Sequence, residues 1–210
     1  MIKVETISKN YGRVQALKGI SLIIPRGKTS GIQGPSGSGK TTLLRVVAGF
    51  EQPTSGKIYI DNKLASSPDY NLEPHLRDIS AVFQTPALWP NMTVAENIEY
   101  VNPLGQVTEL IDRVGLTGLT DRYPNELSGG EARRVSIIRA LVSEKKYLLL
   151  DEPLVNLNPE LKKILHDVII EEARRRSLGV LYISHDASEL EHADQKYLML
   201  IPVAFALIMV

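Results

Sequence analysis

Cysteine is absent from the chain, which excludes disulfides, thiolate nucleophiles and cysteine-held metals. An excess of one charge is absent too. Lys and Arg number 24, as do Asp and Glu, and so balanced a chain projects no basic field toward nucleic acid or an anionic bilayer. The four histidines are scattered without metal-ligand spacing. Met1–Lys9 alternates as a strand does and contains no apolar core of a secretory signal, so cytoplasm is the expected compartment. No apolar run is long enough to cross a bilayer, since the uncharged stretch Tyr197–Val210 is short and broken by Pro202. Buried terminal strands are the expectation for that stretch, with an altered chain end or an apolar interface left open. No repeat or long linker is visible. The 210 residues are 43% apolar, enough for one large domain with its own core.

Against these absences stands one strong presence. Gly34, Pro35, Ser36, Gly37, Ser38, Gly39, Lys40 and Thr41 fit G-x-x-x-x-G-K-[ST], the loop that cradles nucleoside triphosphate phosphates. Its glycines let backbone N–H groups turn toward the anion, its lysine reaches β and γ oxygens, and its threonine hydroxyl can hold Mg²⁺. The context agrees. Lys28–Gln33 reads as a short strand, and Thr42–Ala48 as a helix stopped by Gly49 that aims its positive end at the phosphates.

Tyr147–Leu150 and Val180–Ile183 are continuous apolar runs of the kind found in buried parallel strands. Between them Leu161, Ile164, Leu165, Val168 and Ile169 recur at helical spacing, opened by Asn158 and Pro159 and closed by Arg174–Arg176. Strand, helix and strand make a parallel unit, and ligands of such sheets sit beyond the carboxyl ends of strands, where Asp151, Glu152, Ser184 and His185 fall. From Thr85 to Leu141 the period is helical. Thr93 and Glu96 form a capping box, Val107, Leu110, Ile111 and Val114 mark a second helix, and Ser128 with Glu131 caps a third.

A nucleotide hydrolase needs one carboxylate near Mg²⁺ and another beside the attacking water, which assigns Asp151 to the metal and Glu152 to the base. In Leu127–Glu131 the cap explains Ser128 and Glu131 but leaves Gly129 and Gly130 unexplained. Glycines in a first turn make sense where a phosphate comes close to bare backbone N–H groups. One chain would then carry two phosphate-facing surfaces.

With these residues in place the chain resembles the ATP-binding subunit of an import-type ABC transporter, over nearly its full length. Gly34–Thr41 matches the Walker A loop, Gln84 the Q-loop, Leu127–Glu131 the signature, Leu148–Glu152 Walker B and His185 the switch histidine. The resemblance implies an α/β fold: a P-loop NTPase core with a mostly parallel sheet, an N-terminal antiparallel β portion and a helical insert carrying the signature. It implies a single domain over 1–210, with 1–84 and 142–210 as core and 85–141 as helical subdomain. It implies head-to-tail pairing, as a homodimer or with a related ATPase subunit, each ATP lying between one Walker A loop and the opposite signature. Tyr11 would stack on adenine, Lys40, Thr41 and Thr42 would hold phosphates, and Thr41, Gln84 and Asp151 would hold Mg²⁺, the last through water. Gln84 would also sense the γ-phosphate, Glu152 would polarise water and His185 would contact the γ-phosphate, while Ser128, Gly129, Gly130 and Glu131 would serve the partner's ATP.

Phe83–Asn97, including Trp89, resembles the surface that receives a permease's coupling helix in importers of small solutes or ions. Transmembrane permease subunits and a solute-binding protein are the implied partners, and the cytoplasmic face of the membrane the implied place. A soluble ABC ATPase and a weakly active nucleotide-binding regulator are the alternatives. Asn62–Ala65 lacks an acidic residue to read guanine, which disfavours a GTPase. Two positions depart from the family pattern. Glu131 replaces the commoner Gln and is expected to be tolerated; Asn158 replaces Asp at the end of the D-loop and is expected to slow hydrolysis while still capping its helix.

Overall fold

The computed structural model describes residues 1–103 and 107–200, with the backbone of 208–209. The alternating N-terminus forms β1 (Ile2–Tyr11), which pairs antiparallel with β2 (Val14–Ile24) across a tight turn and, on its other side, with β4 (Ser55–Ile60). Asp61 and Asn62, both at positive φ, turn β4 into β5 (Lys63–Ser67), the two-residue hairpin geometry that matches strand twist. β6 (Tyr70–Asn71) completes a five-stranded sheet ordered β2-β1-β4-β5-β6.

The second sheet holds the apolar runs. β3 (Thr29–Gln33), β7 (Ile79–Val82), β8 (Tyr147–Asp151), β9 (Gly179–Ile183), β10 (Gln195–Leu198) and β11 (Ile208–Met209) lie in the order β11-β10-β3-β9-β8-β7. Every pairing in it is parallel except β10 with β11. β8 and β9 are buried throughout, and the strand period of two sends their side chains into separate cores. Tyr147, Leu149, Leu181 and Ile183 face the antiparallel sheet and the helix α1 (Lys40–Ala48). Leu148, Leu150, Val180 and Tyr182 face α2 (Val94–Glu99), α4 (Gly129–Val142) and α5 (Pro159–Arg175).

α1 starts at Lys40, two residues before the expected Thr42, and stops at Gly49, whose φ is 89°. Past that stop the buried Arg77 guanidinium donates to Val46 O and Val47 O, the exposed carbonyl end of α1, and to Ala65 O and Leu72 O. Burial lowers its pKa to about 10. A Cβ at Gly49 would stand 2.4 Å from Arg77 Nε, so glycine there is required by both conformation and space.

Between β7 and β8 the described residues form helices only: α2, α3 (Thr108–Arg113), α4 and a short 3₁₀ turn at Pro124–Glu126. Thr93–Glu96 and Ser128–Glu131 are capping boxes, as expected. These helices have no core of their own, because Val94, Ile98, Val114 and Leu116 share one with Leu148, Leu150 and Leu165. At the C-terminal end, β10 beside β3 and the buried Tyr197 fit the expectation of terminal strands. The remainder of that expectation, at 201–207 and 210, lies outside the described residues.

Candidate nucleotide-binding and hydrolysis site

The carboxyl ends of β3, β7, β8 and β9 come out on one edge of the parallel sheet and deliver the loop at Gly34, then Gln84, Asp151–Glu152 and Ser184–His185. The loop sits under close walls. A Cβ at Gly34 would meet Met199 O at 2.1 Å, and one at Gly39, itself at φ 95°, would meet Ala16 O at 2.5 Å. Pro35 O accepts from Ser38 N at 3.3 Å, closing the loop's turn.

Lys40 is 6% exposed, and its Nζ donates to Gly34 O at 2.7 Å and Pro35 O at 2.9 Å. Burial lowers its pKa, against the opposing pull of Glu152 and Asp151. Lys40 lines a cavity of about 390 Å³ together with Ser36, Thr41, Thr42, Gln84 and Glu152. Asp151 lies behind it, 2% exposed, in the adjoining groove that Thr41 and Gln84 also border. Burial raises its carboxyl pKa while the Thr41 hydroxyl opposes the shift, and among the described residues its Oδ2 has no hydrogen-bond partner. A buried carboxylate oxygen left free beside a threonine hydroxyl and a glutamine is a donor set that suits a hard, oxygen-seeking divalent cation.

Glu152 stands in left-handed backbone at φ 47°, a conformation that costs a non-glycine residue about 1–3 kcal/mol and concentrates at functional sites. Three contacts hold it there. Its N donates to Ile183 O at 3.0 Å, its carbonyl accepts from Arg133 Nη1 at 2.9 Å, and its Oε1 lies 3.4 Å from His185 Nδ1. Arg133 also donates to Gln84 O, so one nearly buried guanidinium from α4 fixes the backbones of both residues. Asp186, and not His185, caps the following 3₁₀ turn, which leaves the imidazole free of that duty and 60% exposed.

The remaining predicted residues do not line that cavity, although Tyr11 stands beside Thr42, which does. Tyr11 is 46% exposed with its hydroxyl on Glu51, and burial, ahead of Glu51, pushes that hydroxyl up to about 12. Val14, Gln15 and Ala16 of β2 line the cavity instead, and sequence reasoning missed them together with Arg133. The alternation of β2 names no ligand. Its place two residues beyond the signature was the available hint of Arg133. Ser128, Gly129, Gly130 and Glu131 open α4 and do not line the Lys40 cavity; Gly129 and Gly130 border a separate groove of about 210 Å³ with Asn156 and Leu157. Beyond its chain neighbours and its own helical turn, no atom of the described residues lies within 4 Å of where a Gly129 Cβ would stand. Hydrogen bonds from Ser128 hold the Glu131 carboxyl below the usual carboxylate range.

A glycine loop passing from a parallel strand into a helix, with a buried aspartate and a strained glutamate ending a neighbouring strand, defines a P-loop nucleoside triphosphate hydrolase. Residues 17–155 match the ABC transporter family model, and the chain belongs to that family as an ATP-binding, ATP-hydrolysing cassette. It is 39% identical over 208 residues to the probable sulfate/thiosulfate import ATP-binding protein CysA of Chlorella vulgaris, covering 95% of this chain and 86% of that one. It is 40% identical over 197 residues to the Fe(3+) ions import ATP-binding protein FbpC of Photorhabdus laumondii subsp. laumondii, covering 90% of this chain and 55% of that one. The chain thus spans just over half the length of the latter relative. Among solved structures it is similar to the ATP-binding cassette MJ0796, in a dimeric post-hydrolysis state bound to ADP and Pi. The TM-score is 0.81 at 26% identity, with 99% of each chain covered.

Proposed function

We propose that the chain energises uptake of a small solute or ion, pairing head to tail with a second cassette and docking on separate transmembrane permease subunits at the cytoplasmic face of the membrane. A solute-binding protein would deliver the cargo. The observation that carries this reading is the division of the phosphate-facing groups: Lys40, Thr41, Gln84 and Glu152 share one cavity, while Gly129 and Gly130 border another. A second copy supplying its Ser128–Glu131 end would complete each pocket. Import is supported by the relatives named as import ATP-binding proteins. The helical segment 85–141 would then be the subdomain that meets the permease, through Trp89, which lies 4.8 Å from the Tyr100 ring and beneath the Arg139 guanidinium at 4.3 Å.

In this mechanism Lys40 and Thr42 bind phosphate oxygens, Gly34–Gly39 give the backbone room to approach them, and Tyr11 stacks on the base. Thr41, Gln84 and Asp151 would hold Mg²⁺, which when bound neutralises phosphate charge. Glu152 takes the proton of the attacking water, and His185, beside Glu152, contacts the γ-phosphate and orients that water. Arg133 keeps Gln84 and Glu152 in register.

Glu152→Gln tests the reading. Loss of the base lowers turnover by ~10²–10⁴. ATP binding is retained, and the variant runs as a dimer in size-exclusion chromatography with ATP and Mg²⁺. Unimpaired hydrolysis removes Glu152 from its role, and a protomer that stays single under these conditions with its permease present removes the paired engine. Recovery from native membranes together with membrane-spanning subunits is the expected result for the transport role; recovery on ribosomes would refute it.

A further inference from the structure

His185 is a mostly exposed side chain whose aim at Glu152 depends on the loop that carries it. Two residues of α5 reach that loop: His166 meets the Glu189 backbone, and Lys162 takes both of its carboxylates. Asn158 opens α5, its Oδ1 accepting from Leu161 N at 2.8 Å, and the next residue along, Lys162, leans across to the switch loop. Lys162 Nζ donates to Asp186 Oδ2 at 2.8 Å and lies 2.6 Å from Glu189 Oε1.

Both carboxylates are held on their far sides. Asp186 Oδ1 accepts from Ser188 N at 3.0 Å and Ser188 Oγ at 2.6 Å. Glu189 is buried, its Oε2 accepts the Tyr182 hydroxyl at 3.3 Å, and its carbonyl lies 2.9 Å from His166 Nε2. A cavity of about 240 Å³ lies over the cluster, while Leu190 at the far end of the loop is buried in the core that Leu165, Val168 and Ile169 of α5 share, so near Asp186 the ion pairs act beside open space. An exposed ion pair contributes little to stability, whereas an ammonium shared between two carboxylates, one of them buried, restricts geometry.

We propose that Lys162 is a positioning residue for hydrolysis: it staples the loop Asp186–Leu190 to α5 and thereby sets where His185 stands against Glu152. The proposal rests on the hydrolytic roles given to His185 and Glu152 above. It also joins two functional segments, because a shift of the Asn158 end of α5 moves Lys162 and, through it, the switch loop.

The experiment compares Lys162→Met, which keeps an apolar stem without the charge, with Lys162→Arg, in the full chain. Misplacing a reacting group by about an ångström costs on the order of 10–100-fold, so kcat for ATP is expected to fall by that much in Lys162→Met. KM changes by less than about twofold, because Lys40, Thr41 and Thr42, which carry most of the binding, keep their places. Lys162→Arg restores kcat. In a His185→Ala background Lys162→Met causes no further loss, since both changes remove the same contribution. Amide exchange at Ser188, Glu189 and Leu190 quickens in Lys162→Met and recovers in Lys162→Arg.

Unchanged kcat, an undiminished further loss in the His185→Ala background, or unaltered exchange at those amides overturns the proposal. Lys162→Gln, which keeps a donor for the buried Glu189, carries the same comparison where Lys162→Met does not fold. If Glu152→Gln and His185→Ala both leave turnover intact, the hydrolytic reading itself fails, and amide exchange alone then decides whether the staple exists.

Discussion

Asp186 serves two purposes that acid can separate. The hydrogen bond from Lys162, followed by those from Ser188, holds its carboxyl well below the usual carboxylate range, and Ser128 does the same for Glu131. In the unfolded chain such groups protonate near pH 4. Their contribution to stability is therefore fully present above about pH 4 and is lost as pH falls through their lower native values. Asp151 acts in the opposite sense: burial raises its carboxyl, so its charge costs stability at neutral pH, and that cost fades on acidification. The expected outcome is a melting temperature that falls below about pH 4, with Asp186→Asn melting lower at pH 7 and declining less steeply in acid. Calorimetry from pH 7 to pH 2 checks it, and parallel curves for the two proteins would contradict it. Lys40, Thr41, Asp151 and Glu152 were legible as candidates, since each sits in a short motif whose chemistry is local, and the fold gathers them around adjoining cavities. Arg133 and Lys162 were not, because their partners lie at Gln84 and Glu152 and at Asp186 and Glu189 and meet them only after the chain folds.

Helix starts were the most readable elements. Thr93, Ser128 and Asn158 each accept from a backbone N–H three residues on, at Glu96, Glu131 and Leu161, so a cap and its helix are encoded within one turn. In α4 the observed cap, Ser128, is also the residue proposed to meet a partner's ATP, and a single substitution separates the two roles. Ser128→Asp keeps an acceptor at the cap, so stability measured by denaturant unfolding is expected to change by less than about 0.5 kcal/mol. The same carboxylate repels a partner's phosphate, so ATP-dependent dimerisation is lost in size-exclusion chromatography. Ser128→Ala behaves in reverse on the first count, costing about 0.5–2 kcal/mol. A Ser128→Asp protein that still dimerises with ATP would leave Ser128 as a cap and nothing more. Strands were readable where both faces are buried, as in β8 and β9; β2, with its polar alternation, was readable as structure but not as a wall of the site.

Two cores meet on one parallel sheet, and this arrangement predicts how the molecule opens. β8 and β9 are buried along their whole length between them, whereas β6 is a two-residue edge strand and α3 has no buried residue. Amides of β8 and β9 are expected to exchange only on global unfolding, on the order of 10³-fold or more slower than those of α3 and β6. Native-state hydrogen exchange measures this ranking, and equal protection across α3 and β8 would refute it. The sequence by itself determined the phosphate loop, the acidic end of β8, the capped helices and their order along the chain, because each depends on spacing within a few residues. Only the tertiary structure decided that Met199 O roofs Gly34, that Val14 and Ala16 line the cavity, and that Gly129 and Gly130 border a groove other than the one Lys40 lines. Those placements follow from the strand order β10-β3-β9-β8-β7, which brings together carboxyl ends far apart in the chain and which no local period encodes.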